Sequence, residues 1–168
     1  MKKAMPEHAP EKTLGQLLSR FNIKLRIKTP VLDVELEYSD ADKSAAWELY
    51  VEMLTRIVTQ PLHRGHGSEQ TALESVYSMF PTTREILKKH GPECAVFAKI
   101  AVPVLNQVVR PFTAKWHKLS LDDGFSRPDT CKEFRGELDT LRENLINYSR
   151  MLAELAGVED LTDLEEET

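Results

Sequence analysis

The stretch Leu62-His63-Arg64-Gly65-His66-Gly67, followed by Ser68, holds the first residues along the chain that could do chemistry. Two glycines and a serine ahead of a helix start can form a nest of backbone N–H groups for an anion, and Arg64 would add positive charge. The stretch lacks the spacing and the lysine of a phosphate-binding P-loop. His63 and His66 are metal-ligand types, but no third ligand follows at a recognisable spacing, so no metal is expected. A solvent-exposed linker is the simpler reading of the same residues.

A second group falls on one face of a helix. Lys99, Asn106, Arg110, Thr113 and His117 recur at steps of seven, four, three and four, with Pro103 on the same line. The solvent side of an otherwise apolar helix gives such a line. A track facing a ligand gives it too, and Arg110 suits that best because a guanidinium holds a carboxylate or phosphate at two points. A third group, Lys115, Trp116, His117 and Lys118, sets cations around an aromatic ring, as in proteins that stack single-stranded nucleic acid. Here the ring also continues an apolar stripe, and cations suit the end of a helix. With a net charge of −5, nucleic acid is not an expected partner.

Catalysis asks for more than these groups provide. A nucleophile needs a base within reach, or two carboxylates must converge in a pocket. No Gly-x-Ser-x-Gly, His-Glu-x-x-His, Glu-x-x-His or glycine-rich nucleotide loop occurs. No cofactor is implied, and the expectation is a protein that is not an enzyme. His117 or His90 beside a carboxylate in an enclosed pocket would reverse it.

The elements that position these residues follow from hydrophobic spacing. The 168 residues fit one domain, with 41% hydrophobic and 29% charged residues, an ordinary globular balance. Residues 1–12 read as a flexible tail without the apolar run of a signal peptide. The most apolar stretch, Ala95 to Val109, is interrupted by Lys99, Asn106 and Gln107 and reads as too short for a bilayer. The expectation is therefore a cytoplasmic chain without membrane insertion. Cys94 and Cys131 have no Cys-x-x-Cys spacing and read as small hydrophobes in a reducing compartment.

Residues 13–157 read as a single helical domain. Thr13 to Phe21 suits a short helix. Next, Ile23, Leu25 and Ile27 alternate with Lys24, Arg26 and Lys28. After Thr29-Pro30, Leu32, Val34, Leu36 and Tyr38 alternate with Asp33, Glu35 and Glu37. Period two predicts strands, and a basic strand beside an acidic one predicts a β-hairpin over 22–38.

A capped helix then starts at Ser39 or Asp40 and ends before Pro61, with Trp47, Val51, Leu54 and Val58 as its stripe, widened by Tyr50 and Ile57. Leu73, Val76, Phe80, Thr83 and Leu87 keep helical spacing through Pro81, predicting a kink or two short helices there. Pro92 to Leu119 is helical and very apolar, bent or split by Pro103 and Pro111. From Asp129 to Ala156, Cys131, Phe134, Leu138, Leu141, Leu145, Tyr148, Leu152 and Leu155 form a heptad seam that Gly157 ends. Residues 158–168 are an acidic tail.

The fold class predicted is mainly α, a bundle of about four helices with an N-terminal β-hairpin. The function expected is a non-catalytic protein-interaction or assembly module, with a protein partner or a second copy of the chain. It would act through the charged hairpin residues Lys24, Arg26, Lys28, Asp33, Glu35 and Glu37, or through the seam. The alternative is a small-ligand or nucleotide/anion sensor using Arg110, Lys99 and Asn106, with His117 on the same face and Arg64 in the loop.

Overall fold

Capping side chains set the starts of three helices. In the computed structural model, which describes residues 13–56, 61–62, 65 and 67–165, helix α1 (Leu14–Arg20) begins at Thr13. The Thr13 hydroxyl accepts from the Gln16 N–H at 3.2 Å, and the Gln16 side chain accepts from the Thr13 N–H at 3.1 Å. Ser39 and Asp42 exchange the same pair of bonds at the start of α3 (Asp40–Leu54). Ser68 accepts from the Thr71 N–H at 3.1 Å to open α4 (Glu69–Tyr77).

Prolines place the remaining breaks. Helices α4 and α5 (Met79–His90) meet at Ser78, three residues before Pro81. The N–H that Pro81 lacks thus falls in the first turn, where no intrahelical bond is needed. Helix α6 (Ala95–Val104) contains Pro103. Pro111 cannot donate to the Gln107 carbonyl four residues back. The chain widens there into a π turn over Leu105–Val109, closed by the Arg110 N–H on the Leu105 carbonyl. Helix α7 (Arg110–Leu121) follows. Helix α8 (Pro128–Ala156) starts on a proline and ends at Gly157, whose φ of 70° is easy for glycine alone.

The bundle frame is α3, the α4–α5 pair, the bent α6–α7 rod and α8. Helix α3 packs chiefly on α8 and α5, while α4 packs on α7. Phe134, Leu138, Leu141, Leu145, Tyr148, Leu152 and Leu155 of α8 are buried, and Cys131, the first residue of the expected seam, is half-buried, so the seam lies inside the domain from Phe134 onward. Rings of Phe112, Trp116, Phe125 and Phe134 fill one end, with Trp116 edge-on to Phe134 at 5.0 Å between centroids. At the other end residues 158–165 fold back. The Leu161 N–H donates to the buried Tyr50 hydroxyl at 2.6 Å, and that hydroxyl donates to Asp160 at 3.1 Å.

The expected β-hairpin is absent, and the described residues contain no β-strand. Thr29-Pro30 opens a single helical turn, α2 (Thr29–Leu32), because the fixed φ of proline suits a first helical turn. That turn replaces the reversal a hairpin needs. The two alternating runs therefore lie as separate extended segments on the helices. Ile23 and Leu36 are buried, and Leu25, Ile27 and Tyr38 pack partly against the core. Backbone groups find other partners. The Gln107 side chain accepts from the Arg26 N–H at 2.6 Å and donates to the Arg26 carbonyl at 3.0 Å. One antiparallel bridge joins Thr13 to Glu35. Among the described residues no ion pair links Lys24, Arg26 or Lys28 to Asp33, Glu35 or Glu37.

Helix α3 corrects a second expectation. Its buried face is Asp42, Ala45, Ala46, Leu49, Tyr50 and Met53, while Trp47 is 45% and Val51 37% exposed. Of the expected stripe Tyr50 is buried and Leu54 packs partly on the core, Ile57 and Val58 lie outside the described residues, and the buried face is turned by about one residue, roughly 100°, away from Trp47 and Val51. Asp42 fixes that rotation. One of its oxygens accepts from the Ser39 N–H and hydroxyl, and the other accepts from the Phe97 N–H of α6 at 2.9 Å. Ala45 and Ala46 then let the neighbouring helices approach closely.

By length and composition alone, the helical run Glu69–Leu121 contains a stretch apolar enough to cross a bilayer, contrary to the reading of Ala95 to Val109 as too short. In this fold Phe97, Ile100, Ala101, Val104 and Val109 of that stretch are buried in the core, and 39% of its residues are buried.

Candidate functional site

The polar line of the third helical region faces solvent. Lys99, Asn106, Arg110 and His117 are exposed, whereas Thr113 is buried and its hydroxyl donates to the Arg110 carbonyl at 3.2 Å. Asn106 accepts from the Arg110 Nε at 3.0 Å, and the guanidinium lies 4.8 Å from the Phe80 ring centroid. The structure thus brings Asn106 and Arg110 together. Among the described residues no hydrogen bond or ion pair joins the side chains of Lys99 or His117 to them. His63, Arg64 and His66 lie outside the described residues. The six charged residues of 24–37 are all exposed.

Trp116 is a core residue, fully buried, with its Nε1 donating to Glu137 at 2.8 Å. Lys115 bridges Glu133 and Glu137, and these carboxylates hold its ammonium protonated above the ordinary lysine range. The cluster is therefore an α7–α8 clamp. Cys94 and Cys131 are free thiols, and burial pushes both up from the ordinary thiol pKa. Among the described residues no three side chains converge as metal ligands.

His90 does meet a carboxylate. Its Nε2 lies 2.9 Å from Glu48 Oε1, and Lys89 Nζ lies 2.6 Å from the same oxygen. Hydrogen bonding from Lys89, then from His90, holds the Glu48 carboxyl below its ordinary pKa against the opposing effect of burial. One oxygen shared by two basic groups ties the end of α5 to α3. It is not a free base.

The surface between those helices is the site that the spacing did not reveal. Helices α3 and α5 run antiparallel, since Glu48 meets Lys89 at one end and Arg56 meets Ser78 and Thr82 at the other. Arg56 is held on α3 by Glu52 at 2.5 Å. Between these two polar clamps lies a groove of about 380 Å³. Trp47, Val51 and Ile86 supply its apolar surface, and of the three carboxylates around it Glu48 is paired with Lys89 and Glu52 with Arg56, while Glu85 has no ion pair among the described residues. A signal was present in the sequence. Ala45-Ala46 marks a close helix contact, and Glu48 and Glu52 beside Trp47 and Val51 mark a face turned to water.

No family model, curated protein or solved structure matches the chain.

Proposed function

We propose that the chain is a non-catalytic interaction module of the cytoplasm that docks a basic amphipathic helix of a partner protein along the α3–α5 groove. The observation that carries this reading is Trp47, 45% exposed on a rigid, doubly clamped helix. A large ring left in water at a fixed position is the usual anchor of a protein interface. Two antiparallel ridges with a furrow between them accept a third helix whose apolar residues recur at three and four positions. Glu48 is paired with Lys89 and Glu52 with Arg56, which leaves Glu85 as the rim carboxylate that would select lysine or arginine on the flank of that helix and add salt dependence to its capture.

The test uses two helical peptides with one apolar pattern, one flanked by lysine and arginine and the other by glutamate. Their binding is followed by titration calorimetry on the full chain. The basic peptide should bind at least about tenfold more tightly, and loss of a central aromatic anchor, Trp47→Ala, should weaken it by about 2 kcal/mol or more. Equal affinity for the two peptides, or an unchanged affinity in Trp47→Ala, contradicts the reading.

A further inference from the structure

A second cleft, of about 670 Å³, runs between α7 and α8 and is bounded at one end by Asn22, Ile23 and Lys24. Its volume falls in the range of small-molecule sites, about 300–1,000 Å³. Glu137, Leu141, Asn144 and Tyr148 line it along one face of α8, a run of about 16 Å at the rise of a helix. Val104, Val108 and Phe112 oppose them, so the middle of the cleft is apolar. The π turn at Leu105–Val109 places Gln107 and Val108 on its wall.

The two ends differ. At the Glu137 end two carboxylates share one ammonium and leave an excess of negative charge: Lys115 is held by Glu133 at 2.7 Å and by Glu137, and Glu137 also takes the Trp116 N–H at 2.8 Å. At the other end stands Tyr148, 2% exposed, whose hydroxyl has no hydrogen-bond partner. Buried donors without partners are rare in folded proteins, and each calls for a physical reason. Burial pushes the ionisation of this phenol well above its ordinary value, so it remains a neutral O–H donor. Lys24, exposed and lining the same cleft, makes no ion pair among the described residues.

We propose that this cleft binds an elongated, mainly apolar carboxylic acid, whose carboxylate accepts a hydrogen bond from Tyr148 and lies beside Lys24 while its body follows α8 towards Glu137. The Tyr148 hydroxyl is sealed from solvent in the free protein, so the acid reaches it by displacing the chain around Lys24. Ile23 and Leu25 hold that chain by packing on the core, and Lys24 between them is exposed. Ile23 is tied by its N–H to the Leu18 carbonyl at 2.8 Å and Arg26 by Gln107, while Lys24 and Leu25 between them make no hydrogen bond among the described residues.

The test titrates the full chain with decanoate, decanol and decylamine below their micelle concentrations, reading calorimetry and melting temperature. Decanoate should bind most tightly and raise the melting temperature. Tyr148→Phe should weaken decanoate at least about tenfold, the scale of a lost hydrogen bond to a charged group. Lys24→Gln should weaken decanoate and leave decanol unchanged. Without ligand, Tyr148→Phe should melt at or above the wild-type temperature, because the change removes an unpaired oxygen and keeps the ring. The proposal is overturned if decanol or decylamine binds as well as decanoate, if Tyr148→Phe binds decanoate normally, or if free Tyr148→Phe melts well below wild type.

Discussion

Helices α3 and α8 are packed against each other, yet they meet the core by different rules. Helix α8 buries its bulk: Phe134, Leu138, Leu145, Tyr148 and Leu152 all turn inward. Helix α3 buries Leu49, Tyr50 and Met53 together with Ala45, Ala46 and a carboxylate, and leaves its largest ring, Trp47, half in water. The difference teaches what orients a helix when two adjacent stripes could both serve. On α8 the apolar area of one stripe is far the larger, and each buried large side chain adds roughly 1.5–3 kcal/mol. On α3 the apolar side chains fall on both stripes, Leu49, Tyr50 and Met53 on one and Trp47 and Val51 on the other, and polar groups add to the choice. Turning Asp42 outward would strand the Phe97 N–H and open the cap at Ser39, and an unsatisfied buried donor costs about 1–3 kcal/mol.

The comparison breaks most visibly on α8. Leu145→Asp places an unpaired charge among fully buried side chains, so its cost exceeds the ~2–5 kcal/mol of simply truncating the leucine. The domain should lose its cooperative melting transition. A retained transition would put the seam on the surface.

Asp42→Ala sharpens the α3 side. It removes the acceptor of the Ser39 and Phe97 N–H groups and should cost about 2–3 kcal/mol in chemical denaturation. Asp42→Asn keeps one acceptor oxygen and should cost less. If Asp42→Ala loses under about 0.5 kcal/mol, polar satisfaction does not set the rotation of α3. The smallest effect belongs to Trp47→Ala, within about 0.5 kcal/mol of wild type in stability, as befits a surface change.

These regions also show what the sequence could reveal. The heptad of α8 was legible because steps of three and four persist from Phe134 to Leu155, and the structure buries those residues. The capping serines at Ser39 and Ser68 were legible because a short polar side chain before a helix has one main use. The segment 22–38 was half legible. Alternation gave the inward residues Ile23 and Leu36, but period two does not name the surface on which an extended chain lies. The Gln107 side chain, 81 residues from Arg26, supplies the pairing that a second strand was expected to give. On α3 the spacing found Tyr50 but set Trp47, Val51 and Leu54 as the main stripe, because the bond from Phe97 to Asp42 crosses 55 residues and leaves no local trace. The groove was hidden by the same error, since Trp47 had been assigned to the core. The Tyr148 cleft was hidden because a tyrosine on a seam reads as packing until its hydroxyl is seen without a partner.

The orientation of α3 is the claim on which the docking surface rests, and tryptophan emission tests it directly. The chain has two tryptophans, so Trp116→Phe leaves Trp47 as the sole reporter. In that folded variant the emission should be red-shifted and strongly quenched by acrylamide. A blue-shifted emission that acrylamide does not reach would place Trp47 in the core and contradict the account.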